Sequence, residues 1–199
     1  MTRKKANLPK TVLLSLFIAI MLLMNFTPLG YITTGVFSIT LMTIPVALGA
    51  VCLGVAGSLT LGFLFGLTSF LQAFGIGFMV DPLAATLFTE NPFYYAVMCF
   101  VPRIITAFIA SLIFSAFKRH NKTNLLAFIL SAAAVPIFNT FLFMLFFALF
   151  FRNTVLGGAA VMTVIFSALT INFAIEFSVT LIAGVAINKV IYNYLKKFQ

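Results

Sequence analysis

The stretch Leu125–Phe151 carries no charged side chain, and neither do Thr11–Met24 or Gly35–Leu53. A helix needs about 20 mostly apolar residues to cross about 30 Å of hydrocarbon, so runs of this kind read as membrane spans. Hydrophobic residues make up 63% of the 199-residue chain and charged ones only 8%, too few polar groups to cover the surface of a water-soluble core. The expected fold class is all-α, a polytopic membrane protein.

The formal net charge of +9 would suit nucleic acid if the basic residues were dispersed over one face, but they are grouped. Arg3, Lys4, Lys5 and Lys10 precede the first apolar run, Lys118, Arg119 and Lys122 form a short cluster, and Lys189, Lys196 and Lys197 lie near the end. The positive-inside rule places all three groups on the cytoplasmic side, with both termini inside and no nucleic-acid partner. Four apolar runs fit between the first two clusters, at about 11–28, 35–53, 57–73 and 92–117, and two more at about 124–151 and 158–190. The expectation is a single integral-membrane domain, 1–199, with six transmembrane helices.

Asp81 and Glu90 fall in the long connection assigned to the outside. With no Trp present, Tyr31, Tyr94 and Tyr95 are expected to supply an outer aromatic belt, and Tyr192 and Tyr194 an inner one. Gly54-Val55-Ala56-Gly57 is read as an uncharged cytoplasmic turn. The basic N-terminal segment is read as a flank of the first span rather than a cleaved signal, since no Ala-x-Ala-like site follows it. Cys52 and Cys99 lie at opposite ends of their spans, which supports neither a disulfide nor a metal site.

Function is expected where polarity interrupts these runs. Arg103, Asn139, Thr140, Asn172 and Glu176 are polar or charged residues inside apolar stretches. An ionisable residue costs about 2.5–3.5 kcal/mol to place in lipid on insertion scales, which makes each a functional-site hypothesis. Counting at about 1.5 Å per helical residue from the nearest cytoplasmic cluster puts Arg103 roughly 22 Å up, Asn139 roughly 25 Å and Glu176 roughly 20 Å. Asn172 lies one turn from Glu176 on the same face, and Thr68, Ser69 and Gln72 reach a similar height. One polar layer drawn from several helices is the form expected of a solute pocket. A structural Arg103–Glu176 ion pair, with Asn139 and Asn172 as interhelical hydrogen-bonding groups, is the competing reading.

Arg103 is the strongest ligand candidate, because its planar fork suits a carboxylate and it lies in the first turns of its span. Gly62-x-x-x-Gly66, Ser15-x-x-x-Ala19 and Ala132-Ala133-Ala134 allow close backbone approach, and Ser15 and Ala19 offer a possible docking face. Pro45, Pro102 and Pro136 lie within the runs and are expected to free backbone carbonyls there. His120 reads as solvated in a basic loop, and the 26 phenylalanines as lipid-facing and packing surface. No G-x-x-x-x-G-K-[ST], H-E-x-x-H or G-x-S-x-G sequence occurs, so no ATP site, catalytic residue, metal or cofactor is expected.

Met42-Thr43-Ile44-Pro45-Val46-Ala47-Leu48-Gly49-Ala50, Gly62-Phe63-Leu64-Phe65-Gly66-Leu67-Thr68-Ser69-Phe70, Val101-Pro102-Arg103-Ile104, Asn139-Thr140 and Asn172 with Glu176 resemble the substrate-binding S components of energy-coupling factor (ECF) transporters. Within them the pattern is most similar to the pantothenate-specific branch. The resemblance covers essentially the whole chain. It implies a multi-pass subunit of a bacterial cell membrane that captures a vitamin from outside. Inward release would then depend on a transmembrane T component and two cytosolic ATPases. It also implies that Ser15 and Ala19 face the T component and that the connection Ala73–Pro92 acts as a lid. Pantothenate matches the residues in kind: a carboxylate for Arg103, and hydroxyl and amide groups for Asn139, Asn172 and Glu176. An S component for a pyrimidine precursor, riboflavin or folate, an autonomous small-solute carrier or channel, and a membrane scaffold remain the other readings.

Overall fold

A computed structural model describes residues 8–33, 38–78, 82–118, 125–151, 170, 172–187 and 190. Seven α-helices account for most of them: α1 (Leu8–Asn25), α2 (Thr43–Cys52), α3 (Gly54–Leu71), α4 (Pro82–Glu90), α5 (Pro92–Lys118), α6 (Leu125–Phe151) and α7 (Asn172–Ile187). All except α4 lie on the six apolar runs of the sequence. Three helical segments, Gly54–Phe74, Pro92–Lys118 and Leu125–Phe151, are long and apolar enough to cross a membrane by themselves, and α1, α2 and α7 are shorter apolar helices. Asp81, His120, Tyr192, Tyr194 and most of the basic clusters lie outside the described residues.

Two features depart from the sequence reading. Among the described residues the run from Gly35 to Leu53 is helical only over Thr43–Cys52, about 15 Å at 1.5 Å per residue and too short to span. Before it, β1 (Tyr31–Thr33) pairs antiparallel with β2 (Ser38–Thr40), in the register Tyr31↔Thr40, Ile32↔Ile39 and Thr33↔Ser38. Strand pairing satisfies backbone groups that apolar surroundings would otherwise leave without partners. The second departure is at Gly54-Val55-Ala56-Gly57, which is the first turn of α3 and not a loop. The chain reverses at Leu53–Gly54, where Gly54 takes φ +73°, a conformation a side chain disfavours.

Helix ends follow local chemistry. Asn91 accepts the backbone N–H of Tyr94 on its side-chain oxygen at 3.1 Å, and Pro92 follows it, so an Asn cap and a first-turn Pro start α5. Pro45 sits in the first turn of α2, where its missing N–H is no loss, so it does not kink a span as the sequence suggested. Pro102 and Pro136 do lie inside α5 and α6. At the far end of α3 a short 3-10 turn, Gln72–Phe74, closes on Gly75 at φ +70°, with Ile76 N–H bonded to Leu71 O at 3.2 Å.

Small residues set the helix spacing. α5 packs against α3 and α6, and the faces it meets are Gly- and Ala-rich. A Cβ on Gly62 would lie 2.8 Å from Arg103 O and 2.7 Å from Ala107 Cβ, and one on Gly66 would lie 3.0 Å from Cys99 O. Hydroxyls bridge the same seams, Ser58 Oγ donating to Ala107 O at 2.8 Å and Ser131 Oγ to Ala110 O at 2.9 Å. Helix association in lipid draws on this close packing and on such bonds, each about 0.6–2 kcal/mol. Gly62→Leu should therefore push α3 from α5 and lower stability by about 1–3 kcal/mol, read as a fall in melting temperature in detergent. An unchanged melting temperature would show that the seam is loose.

α7 carries one inward stripe at four-residue spacing, Asn172, Glu176, Thr180 and Gly184, all buried. Thr43 and Thr180 share a hydroxyl hydrogen bond of 2.7 Å, and Gly184 meets Ala132 at 3.1 Å from its would-be Cβ. The stripe thus passes from packing contacts on α2 and α6 to polar groups at its start. Those groups open on the cavity described next.

Candidate functional site

A cavity of about 120 Å³ lies where α3 ends, α5 and α7 begin, and α6 passes its midpoint. At 10–15 Å³ for each water-sized position, it holds on the order of ten such positions, the scale of a small organic molecule. Arg103, Asn139, Thr140, Asn172, Glu176, Ser69 and Gln72 all line it. Thr68 does not. One helical step turns its side chain away from that of Ser69, and its hydroxyl donates to Phe65 O at 2.9 Å. The Tyr31 phenol lies 3.4 Å from the Thr68 hydroxyl, so Thr68 supports the wall from behind.

Several lining residues carried no signal as site residues in the sequence. Tyr31 and Tyr95, expected in the aromatic belt, are 6% and 2% exposed and face the cavity. Tyr95 Oη donates to Ser69 O at 2.9 Å, fixing the end of α3 against α5. Tyr31 lies between the spans, and burial raises its pKa above the ordinary phenol value, which keeps it a neutral donor. Tyr94, by contrast, is 40% exposed and stacks on Phe150 at 4.6 Å between ring centroids, in keeping with a belt position. Phe65, Phe143 and Phe173 line the cavity rather than facing lipid. Cys99 is a buried thiol in the cavity wall, while Cys52 is buried elsewhere, beside Phe114 and Phe128.

The connection after α3 contains the helix α4. Leu83, Ala84 and Leu87 of α4 close one side of the cavity. Phe70, Phe74, Phe88 and Tyr95 hold α4 in place through ring contacts of 4.6–6.1 Å. Phe78 N–H, bonded to Asn25 O at 2.8 Å, ties the preceding turn to the end of α1.

The two charged residues have separate partners. Arg103 Nη1 donates to Met98 O at 2.7 Å, and the guanidinium lies 5.3 Å and 5.1 Å from the ring centroids of Phe65 and Phe143. Its Nε has no partner although the side chain is 8% exposed. Glu176 Oε1 accepts the Thr40 backbone N–H at 2.8 Å, which joins the hairpin to α7. Among the described residues Arg103 and Glu176 form no ion pair, so the structural-pair reading of the sequence is not what the fold adopts. The Asn139 side-chain oxygen is likewise buried without a partner. Buried polar groups left in this state are poised for a ligand that supplies their hydrogen bonds.

The arrangement is that of a binding site. Among the described residues no group of three or more His, Cys, Asp or Glu could hold a metal ion. A search of curated proteins finds no match to the chain. The family described as ECF transporter, substrate-specific component, matches residues 10–187. Such subunits are transporter components rather than enzymes, membrane-embedded, with a small-molecule substrate and associated T component and ATPases. The nearly all-helical apolar fold and a cavity lined by both polar and apolar side chains agree with a match over most of the sequence, and the chain belongs to the family of substrate-specific components of ECF transporters.

Proposed function

We propose that this subunit captures pantothenate from outside the cell and releases it inward through an ECF complex. The observation that carries the reading is Arg103, a nearly buried cation in the cavity wall whose Nε is unpartnered and which forms no ion pair among the described residues. A ligand carboxylate would satisfy it in fork geometry. Asn139, Thr140, Asn172, Ser69 and Gln72 offer donors and acceptors for the hydroxyl and amide groups, and Phe65, Phe143 and Leu87 the apolar contacts for its carbon chain. Glu176, already engaged by Thr40, accepts from a ligand hydroxyl or amide and does not compete for the arginine.

The whole chain acts as one membrane domain with both termini in the cytoplasm. The cavity then lies in the outer half, with α4 as its cover. Ser15 and Ala19 are exposed on α1 beside Val12, Leu16 and Leu23, which supports this face as the one that meets the T component.

Calorimetric titration of the purified subunit with pantothenate, riboflavin, folate and a pyrimidine precursor tests the substrate. Pantothenate should bind tightest and be the small molecule that mass spectrometry finds carried through purification. Tighter binding of an uncharged vitamin would overturn the assignment. Sidedness has its own test: cysteines introduced near Lys5, Arg119 and Lys197 should label only from inside, and one near Glu90 only from outside. External labelling near Arg119 would reject this orientation.

A further inference from the structure

Arg103 reaches its acceptor because the residue before it is proline. In a continuous α-helix the N–H of residue 102 would bond the carbonyl of residue 98. Pro102 has no N–H, so Met98 O is released from the helical ladder, and the pyrrolidine ring crowds that carbonyl outward. Arg103 Nη1 occupies it at 2.7 Å. The side chain can do so because helical side chains slope toward the N-terminus, here back along α5 and over its preceding turn. The guanidinium is therefore held from one edge by its own helix and packs against the rings of Phe65 and Phe143, leaving Nε buried without a partner.

We infer that Pro102 is a positioning residue for substrate capture: by freeing Met98 O it fixes the Arg103 guanidinium in the orientation that receives a ligand carboxylate. The inference rests on the proposed carboxylate substrate for its functional consequence, but not for the positioning itself. Pro102→Ala restores the N–H, which returns Met98 O to the helix. Arg103 then loses its tether, and the fork must be ordered anew by each ligand.

The test compares the full-length wild-type chain, Pro102→Ala, Arg103→Ala and the double variant. A ligand-free readout comes from nitrogen-15-labelled arginine, because the chain has only four arginines, Arg3, Arg103, Arg119 and Arg152, and Arg103→Lys identifies the signal. Slowed guanidinium rotation at Arg103 should be present in wild type and lost in Pro102→Ala. Affinity for pantothenate should fall about tenfold in Pro102→Ala, as for the loss of one charge-assisted bond. Affinity for the analogue with a carboxamide in place of the carboxylate should stay within about twofold. In the Arg103→Ala background the proline substitution should add no further loss. The ligand-free melting temperature should be unchanged or higher, since the helix regains a bond.

An unaltered Arg103 signal in Pro102→Ala overturns the positioning role, as does an equal loss for both ligands in both backgrounds, which marks a general distortion of α5. If wild type does not bind pantothenate at all, the substrate assignment fails separately, and the arginine signal alone decides the positioning.

Discussion

Arg103→Ala should weaken pantothenate binding by roughly 30-fold to several-thousand-fold, about 2–5 kcal/mol, because the ligand carboxylate is left desolvated and unpaired. Arg103→Lys should recover only part of this, since a point charge cannot reproduce the two-pronged contact. The ligand-free protein should melt at the same temperature or higher in Arg103→Ala. The side chain is a buried cation with no ion-pair partner among the described residues, so its removal relieves desolvation, which offsets the loss of the Met98 O bond, and breaks no salt bridge. Binding thus falls without a matching fall in melting temperature. A parallel loss of both would point to a structural role for Arg103, and unchanged affinity would remove the carboxylate anchor.

Ala19→Trp should abolish uptake by the assembled transporter while leaving ligand affinity of the isolated subunit within about twofold. Ala19 and Ser15 are exposed one turn apart on α1, whereas Phe17 and Met21 on the opposite side are 3% and 0% exposed and belong to the core. Ser15 Oγ is occupied by Thr11 O at 3.1 Å, so its side chain presents little free polarity to a neighbour. An indole at Ala19 fills the space that two close helices would share, without touching the cavity, none of whose lining residues comes from α1. Co-purification with the T component gives the direct readout. Normal uptake by the Trp variant would move the docking face elsewhere.

How much of this was legible in the sequence depended on contrast. A charge or amide within an apolar helix stands out against its neighbours, so Arg103, Asn139, Asn172 and Glu176 were visible, and counting along helices put them at one depth. Depth carries no azimuth. Thr68 was grouped with Ser69 and Gln72 for that reason, although a single helical step turns it behind the wall. Phe65, Phe143 and Phe173 had no contrast at all, since a phenylalanine facing a cavity is written like one facing lipid.

The hairpin was hidden by the same uniformity. Gly35–Leu53 is uncharged throughout and mostly apolar, and such runs do not distinguish a strand from a helix; the β-branched Ile32, Thr33, Ile39 and Thr40 were the available signal. That miss concealed Tyr31 and Thr40, cavity residues on the hairpin. The bond from Thr40 N–H to Glu176 joins residues 136 apart and follows only from the folded topology. Pro102 was legible as a source of a free carbonyl, but its acceptor role for Arg103 required the side chain's direction.

Reconstitution into vesicles, first of this chain alone and then with its T component and two ATPases, tests the central claim most directly. The subunit alone should bind pantothenate without accumulating it, and the complete complex should accumulate it only with ATP. Accumulation by the chain alone would contradict the account and make the protein an autonomous carrier.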